Sequence, residues 1–203
     1  MNTNSVMLDR NIILVGFMGA GKTEVGSLLA RKLQRAFVDI DQVIEKSSGM
    51  TINDLFKRKG EKVFRQMELA HIRKACESKR QIIALGGGAF TNPEIKKLCL
   101  TDSIVFFLNP SWMTIRERLD QLRPTRPLLQ KKTEAELLEL FSLRQQEYGY
   151  AHIEVATDLC GSITEVADHI ASAVQRIWQN DIEGWSSNYR VIIPRSISQR
   201  VCL

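Results

Sequence analysis

The residues whose types and spacing point most directly to chemistry form the segment 16–23, which reads Gly-Phe-Met-Gly-Ala-Gly-Lys-Thr. This Gly-x4-Gly-Lys-Thr pattern suits a phosphate chain, because glycines let backbone N–H groups approach phosphate oxygens closely. Lys22 adds a positive charge for the β- and γ-phosphates, and Thr23 adds a hydroxyl ligand for Mg2+. The motif therefore predicts a nucleotide site, whose residues are Gly19, Ala20, Gly21, Lys22, Thr23 and Glu24.

A second candidate group is the carboxylate pair Asp39 and Asp41, at the end of an apolar stretch. If a strand runs from about Ala36 to Ile40, residues two apart point to the same side, toward the crevice that the phosphate loop also borders. Two such carboxylates repel unless cations lie between them, and Mg2+ and Lys22 would supply those cations. The alternative is that one Asp ends the strand and the next caps a helix. The upstream motif favours the functional interpretation.

Three later groups each allow two interpretations. Arg65 and Glu68 are three residues apart on a predicted helix and share a face, and the pattern alone favours a surface ion pair. The run Gly86-Gly87-Gly88 suits either a backbone lying flat against a ligand or a flexible turn. The basic segment 120–132 is predicted to be a mobile lid that carries Arg126 toward phosphates, or else an ordinary solvated loop.

The elements that must position these groups alternate along the chain. Short apolar runs predict five strands, near residues 12–15, 36–40, 81–85, 103–108 and 153–156. Amphipathic helices follow them, and their starts carry capping signals, as at Thr133-Glu-Ala-Glu136. This alternation predicts an α/β fold, a three-layer α/β/α sandwich with a five-stranded parallel sheet. We expect one domain over residues 1–178 and a C-terminal extension over 179–203.

Composition narrows the function further. The 203 residues are 44% hydrophobic, and the net charge of +5 is scattered without the interleaved aromatic residues of a nucleic-acid surface. The four cysteines and three histidines lack the spacing of a metal site or a disulfide framework. With no signal peptide and no apolar run long enough for a bilayer, we expect a cytoplasmic protein with no membrane partner.

Several separate pieces, taken in order, resemble the shikimate kinase family, among the small-metabolite kinases of the P-loop superfamily. The resemblance runs from about Asn11 to Trp178 and extends the fold prediction to the P-loop kinase type. The pieces are Gly-Phe-Met-Gly-Ala-Gly-Lys-Thr at 16–23, Asp-Ile-Asp at 39–41, Gly-Glu-x-x-Phe-Arg at 60–65, Gly-Gly-Gly at 86–88, Arg-Pro-Leu-Leu at 126–129 and Arg-x3-Tyr at 144–148. Each piece is weak alone, but the ordered set is specific.

The resemblance implies transfer of the γ-phosphate of ATP, as Mg-ATP, to the 3-hydroxyl of shikimate. The products are shikimate 3-phosphate and ADP, in the chorismate pathway of aromatic amino-acid synthesis. On the acceptor side, it implies that Asp41 holds the accepting hydroxyl and acts as base, and that Arg65 and Arg144 grip the carboxylate. Gly87 matches a backbone contact to the ring, and we include its neighbours Gly86 and Gly88.

On the nucleotide side, the resemblance implies that Asp39 lies near Mg2+ with Thr23, that Arg126 is the catalytic lid arginine beside Lys22, and that Arg118 stacks on adenine. The chain departs from the family pattern in two places. The segment between Arg118 and Arg126 is one residue longer, which weakens the adenine assignment, and Leu-Cys-Gly at 159–161 stands where family members often have a basic residue. We expect a monomer.

Three other functions compete with this prediction. A kinase of another anionic polyol such as gluconate is disfavoured by the set Arg65, Gly87 and Arg144. A non-catalytic module would be expected to lose Lys22 or the paired aspartates, which are all present. A nucleic-acid-binding protein would need a dedicated basic surface, which the sequence lacks.

Overall fold

The computed structural model describes residues 9–122 and 132–179. Within these ranges the chain forms five strands and seven α-helices, which alternate along most of the sequence. In chain order they are β1 (Asn11–Val15), α1 (Lys22–Leu33), β2 (Ala36–Asp39), α2 (Ile40–Ser48), α3 (Ile52–Glu77), β3 (Gln81–Ala84), α4 (Pro93–Asp102), β4 (Ser103–Leu108), α5 (Trp112–Leu122), α6 (Glu134–Tyr148), β5 (Ile153–Val155) and α7 (Ile163–Gln179).

The five strands form a single parallel sheet in the order β2-β3-β1-β4-β5. Parallel strands buried on both faces are typically continuous apolar runs, and Ile12 to Val15 and Ile104 to Leu108 fit that pattern. After β1 the chain forms β2 at one edge of the sheet and β3 between β2 and β1. It then crosses to the other side of β1 and forms β4 and β5, so the direction of strand order reverses beside β1. Crevices at such a reversal hold ligands at the carboxyl ends of the strands.

Side chains of the sheet point alternately into two hydrophobic clusters, one on each face. In β1, Ile13 and Val15 join the cluster packed by α2 to α6, whereas Ile12 and Leu14 join the cluster packed by α1 and α7. Helices therefore cover both faces of the sheet. The predicted three-layer α/β/α sandwich with a five-stranded parallel sheet is confirmed.

Local capping signals set several helix starts. Thr133 accepts the backbone N–H of Glu136 while the Glu136 side chain accepts the N–H of Thr133, which completes the predicted capping box of α6. Thr51 caps α3 through the N–H of Asp54. Gly60, at φ 79° and ψ 167°, is non-helical and interrupts α3.

The prediction that a strand continues past Asp39 is wrong. β2 ends at Asp39 and α2 begins at Ile40, because Asp39 Oδ1 accepts the backbone N–H of Gln42 at 3.2 Å and so caps the helix. Asp41 consequently lies in the first turn of α2. The period-two geometry of a strand therefore does not relate the two carboxylates.

Two predicted regions lie wholly or mostly outside the described residues. The structure describes residues 120–122 and 132 of the predicted lid, but not 123–131 between them, and it describes nothing of the extension beyond 179. Among the helices that are described, none combines the length and the apolar character needed to cross a bilayer.

His152 gives the stability of the fold a predictable dependence on pH. Its Nδ1 accepts the backbone N–H of Val105 at 3.0 Å, and burial together with the charge of Arg10 lowers its pKa from 6.5 to about 4. The unfolded chain therefore takes up a proton at a higher pH than the folded chain. The contribution of neutral His152 to the free energy of unfolding is therefore complete above pH 6.5, and it is lost as the pH falls toward 4.

We expect the free energy of unfolding to fall by about 1–2 kcal/mol through His152 over this window, less than the full shift implies because the ring is partly exposed. Denaturant unfolding at several pH values measures the slope. His152→Asn keeps an acceptor near Nδ1 but cannot titrate, so its slope should be flatter. An unchanged slope in this variant would contradict the prediction.

Candidate active site

Three neighbouring strands deliver the candidate residues to one edge of the sheet. β1 runs into the phosphate loop, β3 runs into the glycine run 86–88, and β2 ends at Asp39. These strands lie side by side in the order β2-β3-β1, all parallel, so their carboxyl ends meet. Residues far apart in the sequence thus come together through the topology of the sheet.

The phosphate loop has the backbone that its sequence predicts. Gly19 and Gly21 have φ values of 81° and 87°, a region that suits glycine, and α1 begins directly after them at Lys22. The N-terminus of α1 therefore faces the loop with its positive dipole end. Lys22 Nζ donates to the carbonyl oxygens of Gly16 at 2.8 Å and Phe17 at 2.9 Å, which holds the ammonium group within the loop.

The first turn of α1 and the end of β2 bring two oxygen ligands together. Thr23 Oγ1 donates to Asp39 Oδ2 at 2.6 Å. A hydroxyl and a carboxylate are the ligand types that Mg2+ takes from proteins. Among the described residues, no cluster of three or more His, Cys, Asp or Glu side chains is placed to hold a metal ion.

A first cavity, which we call the nucleotide cavity, opens over the phosphate loop. Arg118 reaches it from α5 and donates from Nη1 to the carbonyl oxygen of Gly19 at 2.6 Å. Ala20 packs its side chain into the core beneath. The residues that line the cavity include Met18, Gly19, Gly21, Lys22, Thr23, Glu24, Asp39, Asp41, Gly87, Arg118 and Ile163.

A second cavity, which we call the acceptor cavity, adjoins the first. Its lining combines charged side chains with an apolar wall formed by Ile52, Phe56 and Phe64. Its lining is Met18, Asp41, Ile52, Phe56, Phe64, Arg65, Glu68, Gly86, Gly87, Gly88 and Arg144. Met18, Asp41 and Gly87 border both cavities, so the Asp41 carboxylate lies at their junction.

Arg65 is held in place by two carboxylates. Its Nη1 donates to Glu68 Oε2 at 2.7 Å and its Nη2 to Glu61 Oε1 at 3.2 Å. Burial opposes the charge of Arg65, but the two carboxylates outweigh it and raise the arginine pKa above its usual value. The guanidinium group therefore stays charged and oriented beside the cavity.

The predicted ion pair between Arg65 and Glu68 is confirmed, but its placement on the surface is wrong. Glu68 is only 1% exposed, because this face of α3 packs against the glycine run after β3. Burial raises the pKa of Glu68, and Arg65 partly offsets that rise. Within the described part of the chain, no group donates a hydrogen bond to its second oxygen, Oε1.

Arg144 approaches the same cavity from α6 and is 7% exposed. Its guanidinium lies over the ring of Phe17, 5.5 Å from the centroid, and Nη1 has no hydrogen-bond partner among the residues described. A buried guanidinium with an unpaired donor is costly unless an anion completes it. Together with Arg65, this arrangement suits a carboxylate bound in the cavity.

The glycine run allows the backbone to lie against these charged groups. A Cβ atom on Gly86 would lie 2.7 Å from Glu68 Oε1 and 2.8 Å from Asp41 Oδ1. A Cβ atom on Gly88 would lie 2.8 Å from Arg65 Nη2. A side chain at either position would have to displace these groups, so the run is packed against the protein's own charged side chains rather than being an open, flexible turn. Contact of the run with a ligand stays a prediction.

Most of the predicted site residues described by the structure line these two cavities. Ala20 contributes to the core instead, Glu24 is exposed at the rim, and Arg126 lies outside the described residues. Sequence reasoning missed Glu68 as part of the site, along with Met18 and the apolar wall. The apolar wall carries no distinct sequence signal, because Ile52, Phe56 and Phe64 belong to the ordinary amphipathic pattern of α3.

Comparisons with known proteins point to one family. Residues 18–175 match the family described as shikimate kinase. A shikimate kinase of Bacillus pumilus is 44% identical over 179 residues, covering 88% of this chain and 96% of that protein. A shikimate kinase of Oceanobacillus iheyensis is 42% identical over 170 residues, covering 84% of this chain and 92% of that protein.

The solved structure of a shikimate kinase from Acinetobacter baumannii in complex with shikimate has the same fold. Its TM-score is 0.79 at 33% sequence identity, and the match covers 89% of this chain and 99% of that chain. Residues 18–175, which match the family, contain every candidate site residue that the structure describes. On sequence, fold and site together, the chain belongs to the shikimate kinase family.

Proposed function

We propose that this protein transfers the γ-phosphate of ATP to the 3-hydroxyl of shikimate, giving shikimate 3-phosphate and ADP. The observation that carries the proposal is the position of Asp41 at the junction of two cavities. One cavity has a phosphate loop, and the other has two guanidinium groups. A hydroxyl group beside Asp41 would face the phosphates of a nucleotide in the neighbouring cavity.

The nucleotide cavity fits Mg-ATP. The loop glycines and the N-terminus of α1 suit the phosphates, and Lys22 adds a charge next to them. Thr23 and Asp39, whose oxygens are 2.6 Å apart, are the residues that would hold Mg2+. When bound, Mg2+ neutralises charge on the phosphate oxygens. Arg118 also lines this cavity, and we propose that it contacts adenine.

The acceptor cavity fits a small hydroxy acid. Arg65 and Arg144 supply forked donors for the carboxylate, and a guanidinium group binds a carboxylate through two parallel hydrogen bonds. The backbone at Gly87 contacts the ring, and the apolar wall of Ile52 and Phe56 packs against its carbon face and keeps water out.

Asp41 orients the accepting hydroxyl and takes its proton. Phosphoryl transfer passes through a loose transition state, so the protein contributes mainly alignment of the nucleophile and positive charge around the oxygens. Lys22 supplies charge from the loop. The role of Arg126 as a second catalytic cation, closing over both substrates from the lid, stays a prediction from the sequence. We further propose that the protein acts as a monomer in the cytoplasm, in chorismate synthesis.

The proposal is tested by ADP release with Mg-ATP against a panel of shikimate, quinate, gluconate and nucleoside monophosphates. We expect a preference for shikimate of about 100-fold in kcat/KM over gluconate, since the apolar wall suits the carbon face of a ring better than an open polyol chain. A Lys22→Met variant serves as the inactive control. A preference for another acceptor would overturn the choice of substrate, and no ADP release with any acceptor would favour a non-catalytic role.

A further inference from the structure

We propose that Tyr148 is a positioning residue for the substrate carboxylate, because its hydroxyl joins the guanidinium group of Arg144 to the backbone of the glycine run. This inference rests on the proposed function of the acceptor cavity. Tyr148 does not line that cavity itself. It acts through two groups that do, Arg144 and Gly87.

The first contact joins α6 to the loop after β3. The Tyr148 hydroxyl donates a hydrogen bond to the carbonyl oxygen of Gly87, across 61 residues of sequence. The phenol ring is 1% exposed and packs against Phe107, with the ring centroids 5.1 Å apart. A ring enclosed in this way has little freedom, so its hydroxyl holds the Gly87 carbonyl at a fixed distance from α6.

The second contact is with the arginine one helical turn earlier. The guanidinium group of Arg144 lies close enough to the Tyr148 hydroxyl for its charge and a donated hydrogen bond to lower the pKa of the phenol. A hydroxyl offers one donor and two acceptor positions, so Tyr148 can accept from Arg144 while it donates to Gly87. Guanidinium, phenol and carbonyl then form one chain of hydrogen bonds from a cation to the backbone of the site.

The protonation state of the phenol supports this chain. Burial raises the pKa of Tyr148 to about 12, although the charge of Arg144 opposes the rise. The hydroxyl therefore keeps its proton throughout the physiological range, and the bond to Gly87 always has its donor.

The burial of the hydroxyl suggests a role beyond packing. A phenylalanine would fill the same enclosed space without bringing a polar atom into the core, and burying such an atom is costly unless it is hydrogen-bonded. Both partners of this hydroxyl belong to the acceptor cavity. Arg144 otherwise lies over the ring of Phe17, 5.5 Å from the centroid, a contact that lacks the directionality of a hydrogen bond. The hydroxyl of Tyr148 fixes its orientation.

Steady-state kinetics of Tyr148→Phe with both substrates test the proposal. We expect the KM for shikimate to rise about 5- to 20-fold, as for a lost hydrogen bond to a charged group, while the KM for ATP and kcat stay within about threefold. Tyr150→Phe is the matched control, because this neighbouring tyrosine is exposed and lies against Lys96 rather than the cavity. It should leave all three parameters unchanged.

A purely structural role would give a different result. The melting temperature would then fall and the amount of active enzyme with it, but the KM for shikimate would not change, and that outcome overturns the proposal. Adding Tyr148→Phe to Arg144→Lys gives a further check. If Tyr148 acts through Arg144, its added effect on the shikimate KM in that background should shrink to less than about twofold.

Two measurements separate this inference from the proposed function and from a folding failure. If the wild-type chain does not phosphorylate shikimate, the proposed function fails. If it does and Tyr148→Phe keeps the wild-type KM, only the role of Tyr148 fails. If the variant does not fold, a crystal structure of the wild-type chain with shikimate decides. It should show the Tyr148 hydroxyl hydrogen-bonded to both Arg144 and the Gly87 carbonyl. An Arg144 guanidinium group turned away from Tyr148 would overturn the inference.

Discussion

Replacing Asp41 with Asn is expected to lower kcat for shikimate phosphorylation by about 1,000-fold, the typical scale for the loss of a general base that also aligns the nucleophile. The amide has nearly the same shape as the carboxylate but cannot take the hydroxyl proton. Because Asp41 borders the nucleotide cavity without being part of the phosphate loop, ATP should still bind. Coupled ADP release measures kcat, and calorimetry measures the affinity for ATP.

Asp168→Asn is the matched control. Asp168 is an exposed aspartate on α7 that pairs with Lys32, on the opposite face of the sheet from the acceptor cavity. We expect it to keep wild-type kcat. If Asp41→Asn retained kcat within about tenfold of wild type, the assigned role of Asp41 as base would be wrong.

Replacing Arg144 with Lys is expected to raise the KM for shikimate by about 30-fold while leaving the KM for ATP nearly unchanged. The change preserves the positive charge, so the loss reports the forked geometry of the guanidinium group. An ammonium group cannot form two parallel hydrogen bonds to a carboxylate. It would also replace the guanidinium group that lies over the ring of Phe17, 5.5 Å from its centroid. Initial rates at varied shikimate measure the effect.

Arg73→Lys provides the comparison for this variant. Arg73 is an arginine on α3 whose side chain is 55% exposed and pairs with Glu94 on α4, so the substitution should leave both KM values unchanged. A wild-type KM for shikimate in Arg144→Lys would remove Arg144 from the carboxylate site. A parallel rise in the KM for ATP would point to a general disturbance of the fold instead.

The parts of this molecule that could be predicted from sequence are those with local causes. The phosphate loop is specified by glycines and a lysine within eight consecutive residues, and its position between strand and helix follows from adjacent apolar patterns. The capping box at Thr133 depends on contacts only three residues away. The alternation of strands and helices then led to the correct layered fold.

The error at Asp39 also has a local cause. A strand-end aspartate and a helix-capping aspartate produce the same short pattern, and periodicity over five residues cannot show where one element ends. The side-chain bond from Asp39 to the N–H of Gln42 starts the helix one residue earlier than the alternation suggested. Asp41 still reaches the site, but from the first turn of a helix.

The error at Glu68 has a non-local cause. The spacing of Arg65 and Glu68 fixes which face of the helix they share, but it does not determine what covers that face. The glycine run after β3 covers it, and the sequence alone does not place β3 beside β1 and β2. Burial and the raised pKa of Glu68 follow from that placement, which only the three-dimensional structure provides.

Met18, Asp41 and Gly87 line both cavities, and this shared lining has a thermodynamic consequence. A ligand in one cavity that shifts these three residues changes the free energy of binding in the other cavity. Such coupling is reciprocal: if the bound nucleotide raises the affinity for the hydroxy acid by some factor, the bound hydroxy acid raises the affinity for the nucleotide by the same factor. An inhibitor designed for either cavity would therefore act on two affinities at once, and its potency would depend on how full the adjoining cavity is.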